Sequence, residues 1–305
     1  MEKLNRKVII TGATGLIGKE ALEPLKKLGF EIFALSRDKI NSDSSDPELN
    51  WIKCDLFDST DIKTTFEKIK PSFLLNFAWK TTGDYLESNI NFDFLKVGLD
   101  LLKYFNENGG KRAVFAGTCF EYQYKETPLK ENDPPDPQAV YSKCKNYLRE
   151  LASLFCLRNN ISFGWGRVFY VFGINEHIKR LSAHAIDNFQ NDKEVIINNG
   201  ELIRAYMFSK DIAAAFVKFL DSSVEGIVNI CPGNGISLGD FASKIARKLG
   251  KTNLLKILKE PVNQPKIIVG DNTRLIQEVE YKLQYDYDKA IDEILSFNNK
   301  RERSK

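Results

Sequence analysis

The sequence predicts an α/β fold in which a doubly wound parallel sheet is joined to a smaller, mixed C-terminal lobe. In residues 1–173, short apolar runs alternate with amphipathic stretches, the order expected when each strand is followed by a helix. The runs are apolar throughout rather than at every second position, so helices should cover both faces of the sheet. Beyond Gly173 this order loosens, and glycine turns separate mixed elements.

The predicted elements follow one another through the first half of the chain. Apolar runs predict strands at residues 8–10, 30–35, 51–54, 72–77, 112–116 and 161–168. Amphipathic stretches predict helices at residues 17–28, 61–69, 89–106 and 139–159. We assign residues 1–173 to the sheet domain, with a return segment near residues 211–232, and residues 174–210 and 233–305 to the second lobe.

Length and composition argue against several classes of protein. The 305 residues correspond to about two domains at roughly 150 residues each. No apolar stretch reaches the roughly 18 residues that a membrane helix needs, and residues 1–7 carry no signal-peptide pattern, so we expect a cytoplasmic protein. The 44 basic and 41 acidic residues give a net charge of +3, which argues against nucleic-acid binding. Five separated cysteines and two histidines, with no CxxC pair, predict a reduced protein without a metal site.

A glycine-rich turn links the first predicted strand to the first predicted helix. Thr11–Gly18 has the spacing GxxGxxG. Gly12 allows a tight turn, Gly15 lets the backbone approach a pyrophosphate, and Gly18 permits close packing of the helix. The helix N-terminus adds free N–H groups and a partial positive charge. An ordinary strand–turn–helix is the alternative, but the position at the first turn favours a Rossmann-type dinucleotide site. Its expected contacts are Gly12, Thr14, Gly15, Leu16, Ile17 and Gly18.

The end of the second predicted strand bears on the choice of cofactor. An acid about 20 residues beyond the glycines is typical of NAD sites, but Ser36 and Arg37 stand there instead. A guanidinium and a hydroxyl suit the 2′-phosphate of NADP. The alternative is a surface arginine paired with Asp38. We therefore favour NADP(H) over NAD(H).

Three residues form a candidate catalytic group. Tyr141 and Lys145 are four residues apart and should share one face of a helix. An ammonium near the phenol is expected to lower its pKa from about 10 and to make it a usable acid or base. Thr118, at the end of the fifth predicted strand, is placed to hydrogen-bond the substrate oxygen that Tyr141 would protonate. A YxxxK match is common by chance, so the predicted catalytic role depends on the position of this pair after the glycine turn and Thr118 in the chain.

This set of motifs resembles the extended short-chain dehydrogenase/reductase family, and within it the sugar-nucleotide epimerases, dehydratases and reductases. The resemblance covers almost the whole chain. The other matching segments are Asp55-Leu56, Asn76–Trp79, Gly117-Thr118, Arg167–Gly173, Arg204–Tyr206 and Lys210–Ala213.

The resemblance implies further cofactor and substrate contacts. Asp55 and Leu56 should contact the adenine. Phe77 and Ala78 should contact the nicotinamide, and Val168 and Phe169 should contact its ribose. Lys145 should also reach the nicotinamide ribose. Tyr170 takes a position where relatives bind substrate, Arg204 should clamp a sugar-nucleotide diphosphate, and Arg180 is a second candidate for that role. Residues 89–106 and 139–159 look like the helix pair that forms a homodimer interface in relatives.

Two departures from the family pattern reduce the number of reactions that the resemblance allows. Dehydratases carry an acidic pair after the threonine, where this chain has Cys119 and Phe120. Epimerases of the GDP-fucose-synthase kind use a cysteine two places after it, where this chain has Phe120. We interpret Cys119, His177 and His184 as structural or pocket-lining. Beside Thr118, we expect Cys119 and Phe120 to contact the substrate.

The remaining groups suffice for a ketone reduction. The resemblance therefore implies an NADPH-dependent reductase of a nucleotide-linked 4-keto-6-deoxyhexose, serving deoxysugar and surface polysaccharide synthesis. Two alternatives are an NAD-dependent sugar-nucleotide 4-epimerase and a cofactor-binding regulator without turnover.

Overall fold

The computed structural model describes residues 6–38, 49–260 and 263–303. The strands in chain order are β1 (Lys7–Thr11), β2 (Glu31–Ser36), β3 (Leu49–Lys53), β4 (Phe73–Asn76), β5 (Arg112–Thr118), β6 (Ser162–Val168), β7 (Tyr170–Phe172), β8 (Val195–Ile197), β9 (Ile203–Arg204), β10 (Tyr206–Phe208), β11 (Gly226–Ile230), β12 (Ile236–Ser237), β13 (Leu255–Ile257) and β14 (Ile267–Ile268). The helices are α1 (Gly18–Lys27), α2 (Ser59–Ile69), α3 (Ile90–Glu107), α4 (Val140–Arg158), α5 (Leu181–Gln190), α6 (Ser209–Asp221), α7 (Leu238–Leu249), α8 (Thr273–Gln277) and α9 (Tyr287–Arg303). Single 3₁₀ turns lie at Cys119–Glu121 and Thr252–Leu254.

A seven-stranded parallel sheet forms the centre of the molecule. Its strand order is β11-β6-β5-β4-β1-β2-β3, and every neighbouring pair is parallel. The order reverses around β1, which lies between β2 and β4, and this is the point where doubly wound sheets bind ligands. The predicted fold class is confirmed, and β11 extends the sheet beyond β6.

Helices cover both faces of the sheet because the strands bury side chains on both sides. In β1, Val8 and Ile10 face one core, which α1 and α6 complete. Ile9, between them, faces a second core beneath α2, α3 and α4. All three side chains are fully buried. The uninterrupted apolar run that predicted a covered strand is therefore explained by burial on two faces.

The C-terminal part of the chain adds a smaller lobe with its own core. This core packs aromatic rings from β7, β10, α5 and α7, among them Phe172, Phe189, Phe208 and Phe241. The short strands pair as β7–β10, β8–β13 and β12-β9-β14, in mixed directions. The mixed lobe in the fold prediction is confirmed, while the exact division of the chain into domains stays a prediction.

Asp211, at the start of α6, ties the last part of the chain to the sheet domain. Its carboxylate accepts hydrogen bonds from the Tyr281 hydroxyl at 2.6 Å and from the backbone N–H groups of Gln284 and Tyr285 at 2.9 and 3.0 Å. The Lys-Asp-Ile-Ala segment of the family resemblance therefore has a structural role here. Within the ranges described, no helix combines the length and apolarity needed to cross a membrane.

Candidate active site

A cavity of about 600 Å³ opens at the carboxyl edge of the sheet. Residues that follow or end four adjacent strands, β1, β4, β5 and β6, line it, namely Gly12, Phe77, Thr118 and Val168. The segment between β7 and α5 closes the other side with Glu176 and Arg180 among its lining residues. The volume is in the range of small-molecule sites.

The glycine turn forms the floor of one end of this cavity. Gly12 has a φ of +65°, and a Cβ there would lie 2.8 Å from the backbone carbon of Phe77. A Cβ on Gly18 would overlap the carbonyl oxygen of Gly12. Ile17 precedes α1 and makes no side-chain capping bond, and the residues at the helix N-terminus that line the cavity, Gly15, Leu16, Ile17 and Gly18, are small or apolar. This cradle fits a pyrophosphate.

The predicted pyrophosphate contacts do not all line the cavity. Gly12, Gly15, Leu16, Ile17 and Gly18 all line the cavity. Thr14 is exposed and lies outside the lining. Its predicted contact with the cofactor stays a prediction.

A buried hydrogen-bond network fixes the end of β4 beside the glycine turn. The Thr11 hydroxyl donates to the Asn76 side chain at 2.5 Å, and the Ala78 N–H donates to both side chains at 3.3 and 3.1 Å. Phe77 then turns its ring edge-on to Phe216, at 4.9 Å between centroids, and lines the cavity. Ala78 is buried behind it.

The predicted adenosine contacts stand at the same edge of the sheet but outside the cavity lining. Ser36 ends β2, and the exposed Arg37 follows it directly. Asp55 comes two residues after β3 and accepts a hydrogen bond from the Phe57 N–H at 3.0 Å, while Leu56 packs against the core. Their roles toward a cofactor stay predictions.

Thr118, Tyr141 and Lys145 meet under the cavity, as the sequence predicts. Their exposed fractions are 5%, 6% and 3%. The Thr118 hydroxyl lies close enough to the Tyr141 phenol to influence its pKa. One helical turn later, Lys145 Nζ donates to the carbonyl oxygen of Ala116 at 2.6 Å and lies 4.0 Å above the ring of Trp79.

The pKa values of the pair differ from the sequence expectation. Burial, followed by the nearby Tyr85, raises the pKa of the Tyr141 phenol above its usual value, so the predicted lowering is wrong in this site. Burial also lowers the pKa of Lys145 to about 7. Both shifts arise because each charged form loses its water. Tyr141 is therefore neutral near pH 7 and able to donate a proton.

Glu121 supports the group from below and was not among the predicted site residues. It is fully buried and accepts hydrogen bonds from the Thr118 N–H at 2.9 Å, from Trp165 Nε1 at 3.1 Å and from Arg167 Nε at 2.8 Å. Thr118 and Glu121 form a capping box around the 3₁₀ turn. The T-x-x-E spacing is the sequence signal that would have found it.

The residues after Thr118 line the substrate side with uncharged groups. Cys119 is buried, and its burial raises the pKa of its thiol, so the thiol is neutral. The Phe120 ring lies 6.5 Å from Tyr141 and 6.2 Å from Tyr170, measured between centroids. Three of the predicted substrate contacts, Cys119, Phe120 and Tyr170, are in the lining.

The two candidate arginines occupy different depths. Arg180 is exposed, lines the cavity, and donates to the carbonyl oxygen of Thr81 at 3.0 Å. Arg204 is buried outside the lining, where it donates to the carbonyl oxygen of Ile203 at 2.9 Å and lies 5.6 Å from the ring of Tyr170. The diphosphate role of either stays a prediction.

The two histidines differ in their position relative to the cavity. His177 lines the cavity, whereas His184 is exposed beside Asn188 on α5 and does not. Several lining residues were not among the predicted site residues. Those in connections that no motif marks are Lys80, Thr81, Thr82, Tyr85, Asn175 and Glu176. Val171 and Tyr206 lie in β7 and β10, inside segments that match the family, and Leu181 begins α5.

Comparison with known proteins decides the family. Residues 8–231 match the NAD dependent epimerase/dehydratase family. The chain belongs to this family. It is thus an NAD(P)-dependent enzyme of the short-chain dehydrogenase/reductase type, as the resemblance implied.

Two curated members of the family illustrate the similarity in sequence. The chain is 26% identical to CDP-abequose synthase of Salmonella typhimurium, over 97% of this chain and 99% of that protein. It is also 26% identical to dTDP-6-deoxy-L-talose 4-dehydrogenase (NAD(+)) of Aggregatibacter actinomycetemcomitans, over 76% of this chain and 86% of that protein.

Solved structures of the family share the fold. The UDP-glucose 4-epimerase of Thermotoga maritima, solved with UDP-glucose, has a TM-score of 0.86 and 16% identity, covering 97% of this chain and 99% of its own. The UDP-glucose 4-epimerase of Thermus thermophilus, solved with NAD, has a TM-score of 0.81 and 20% identity, covering 95% and 99%. At these identities the likeness concerns the fold.

Proposed function

We propose that this family member is an NADPH-dependent reductase of a nucleotide-linked 4-keto-6-deoxyhexose in deoxysugar and surface polysaccharide biosynthesis. One observation carries the proposal. A buried, neutral Tyr141 meets Thr118 and Lys145 under a cavity in which the positions after Thr118 hold a neutral thiol and a phenyl ring. That set provides a proton donor for a carbonyl oxygen but no acid–base pair beside it.

The chain's own residues divide the work of such a reduction. When bound, the reduced nicotinamide supplies the hydride that adds to the carbonyl carbon. Tyr141 gives its phenolic proton to the carbonyl oxygen, and the Thr118 hydroxyl hydrogen-bonds the same oxygen. The ketone thereby becomes an alcohol with one hydride and one proton. The Lys145 ammonium, held by Ala116 and Trp79, favours return of a proton to Tyr141 afterwards.

The cofactor assignment rests on particular residues. Gly12, Gly15 and Gly18 would hold the pyrophosphate, because a side chain at the first or last of them would collide with backbone. Ser36 and Arg37 would hold the 2′-phosphate and so favour NADPH. The similar talose dehydrogenase is named with NAD(+), so both cofactors belong in the assay.

The competing function is a sugar-nucleotide 4-epimerase that retains and recycles NAD. The fold shared with UDP-glucose 4-epimerases is compatible with it. Arg37 argues against it, since a guanidinium at this place suits the phosphate of NADP. A regulator without turnover is disfavoured by the complete Thr118–Tyr141–Lys145 group.

Product analysis separates the reductase from the epimerase. The purified chain is incubated with 4-keto-6-deoxy sugars on dTDP, CDP, GDP and UDP, with NADPH or NADH, in deuterated buffer. We expect stoichiometric oxidation of NADPH with one of the four. Deuterium at C3 or C5 of the product, or a keto sugar formed from a saturated sugar nucleotide, would overturn the assignment. The CDP and dTDP forms come first, because the two similar proteins are named with sugars on these carriers.

We also propose a homodimer formed through α3 and α4. These helices pack together, and their outer face exposes Phe92, Tyr147, Leu151 and Leu154. The three on α4 follow helical spacing and form one apolar stripe. Sedimentation should show a dimer that Leu151→Glu dissociates. Ile276→Glu, at an exposed apolar residue on α8, is the matched control.

A further inference from the structure

An aromatic row leads away from Tyr141 along one wall of the cavity. Phe120 lies 6.5 Å from the Tyr141 ring, Tyr170 lies 6.2 Å from Phe120, and Tyr206 lies 5.4 Å from Tyr170, all between ring centroids. All four rings line the cavity. The far end of this row is three ring contacts away from the group that handles the carbonyl.

A second series of contacts reaches the same region along the other wall. The Tyr85 ring lies 5.1 Å from Tyr141, and the Arg180 guanidinium carbon lies 5.8 Å from the Tyr85 ring. Arg180 directly precedes α5. The two walls therefore meet where the segment after β7 enters α5.

Glu176 stands at this meeting point. It acts electrostatically on both Tyr206 and Arg180, and it lines the cavity. The Ser182 hydroxyl donates to its Oε2 atom. Among the cavity-lining residues that the structure describes, Glu176 is the only carboxylate. Burial raises its pKa to about 7.

We propose that Glu176 recognises the hydroxyl groups of the sugar and excludes substrates whose sugar carries a carboxylate. The proposal rests on the proposed function, since it assumes a nucleotide sugar in this cavity. An ionised carboxylate only accepts hydrogen bonds, which matches the donor hydroxyls of a neutral sugar. A sugar acid would bring a second negative charge to the same partly buried place, and such like-charge contact is strongly unfavourable.

The position argues for selectivity rather than proton transfer at the carbonyl. Tyr170 and Phe120 lie between the Tyr206 end of the row and Tyr141. Glu176 is anchored by Ser182 on the opposite side of the cavity from the sheet edge. We therefore treat it as a residue that determines specificity.

The test compares binding of glucose and of glucuronic acid, each linked to the nucleoside diphosphate that the reductase assay selects, to the full chain by calorimetry at pH 6 and pH 8. The wild type should prefer the glucose form by about tenfold or more at pH 8, and by less at pH 6. Glu176 titrates in this interval, whereas a uronate is ionised throughout it, so the repulsion grows with pH. In Glu176→Gln the preference for the neutral sugar over the uronate should fall, and the part of its pH dependence that comes from ionisation of Glu176 should disappear.

The variants separate a binding role from a structural one. A glutamine can still accept from Ser182, so Glu176→Gln can keep that hydrogen bond. The other charged or titratable groups that line the cavity remain in the variant, so any trend due to them persists there. They are Lys80, Tyr85, Cys119, Tyr141, Lys145, Tyr170, His177, Arg180 and Tyr206. If the glutamine variant fails to fold, Glu176→Asp takes its place in the test. This variant retains the negative charge and should still exclude the uronate. Asp187→Asn, an exposed acid on α5 outside the lining, is the control.

The outcomes distinguish this proposal from the proposed function. Equal affinity of the wild type for both sugars at pH 8, or the same pH trend in wild type and Glu176→Gln, overturns the role of Glu176 while leaving the reductase intact. Failure of the full chain to bind any of the four 4-keto-6-deoxy sugar nucleotides of the reductase assay removes the nucleotide-sugar site, and both proposals fall with it.

Discussion

The two sides of the cavity are built differently. The sheet wall, formed by Gly12–Gly18, Thr118, Tyr141 and Lys145, follows strand ends and one helix turn. The lobe wall, formed by Tyr170, Glu176, Arg180 and Tyr206, comes from short strands and a connecting segment. Backbone sterics and buried hydrogen bonds fix the sheet wall. Contacts between aromatic rings and the hydrogen bond from Ser182 to Glu176 fix the lobe wall.

This difference separates chemistry from selectivity. In the proposed reaction the sheet wall would hold the nicotinamide and donate the proton, and tight packing leaves its groups little freedom. The lobe wall would contact the rest of the substrate through side chains that a few substitutions would change. Changes in the sheet wall should therefore affect turnover and cofactor binding, and changes in the lobe wall should affect the choice of sugar.

The largest effect is expected for Tyr141→Phe. Loss of the phenolic proton donor should lower kcat by about 10²–10⁴-fold, the usual contribution of general acid catalysis. NADPH affinity, measured by fluorescence titration, should stay near that of the wild type because the ring remains. Near-normal turnover would remove Tyr141 from the mechanism and leave the sheet wall without its proton donor.

Arg37→Ala should act on one cofactor only. Loss of a charge-assisted hydrogen bond to phosphate costs about 1.5–3 kcal/mol, or roughly 10- to 150-fold in NADPH affinity. NADH affinity should be nearly unchanged. Titration of both cofactors checks this expectation. An equal loss for both would show that Arg37 does not contact the 2′-phosphate.

Gly18→Ala tests whether backbone sterics set the geometry of the sheet wall. The added Cβ would collide with the carbonyl of Gly12, so we expect about 1–3 kcal/mol of destabilisation together with weaker NADPH binding. Gly29→Ala is the matched control, since Gly29 has positive φ but no atom within 4 Å of its added Cβ. It should lose some stability yet bind NADPH normally. Normal binding by Gly18→Ala would contradict the cradle.

Lys145→Met should abolish most turnover but stabilise the protein at low pH. The pKa of Lys145 is lowered to about 7 in the folded chain and lies near 10.5 in the unfolded one. Between these values the unfolded state binds more protons, so wild-type stability rises with pH; below pH 7 the buried ammonium is fully unfavourable. The variant should melt about 2–4 °C higher at pH 6, and the gain should shrink toward pH 9. Melting curves with a constant difference across this range would contradict the shift.

Much of the sheet wall was predictable, because its determinants are local in sequence. The glycine spacing, the YxxxK pair and Thr118 at a strand end each encode a position through short-range geometry. The charge states were not predictable. The ammonium was expected to lower the pKa of Tyr141, whereas burial of the phenol raises it. Burial is a property of the whole packing around a residue, and spacing does not contain it.

The lobe wall shows the opposite balance. Nothing in the chain marks Glu176 as a cavity residue, and Arg204 was preferred to Arg180 as a diphosphate contact although only Arg180 lines the cavity. Glu121 had a local signal in its capping box, but its contacts with Trp165 and Arg167 come from a different strand.

By itself, the sequence determined the parallel sheet, the glycine-rich turn and the members of the candidate catalytic group, because apolar periodicity and glycine conformation act over a few residues. The tertiary structure alone decided which side chains line the cavity and which of them are charged. Those properties depend on contacts between segments far apart in the chain and on how completely the fold excludes water from each group. The same physics explains why the chemistry could be anticipated and the selectivity could not.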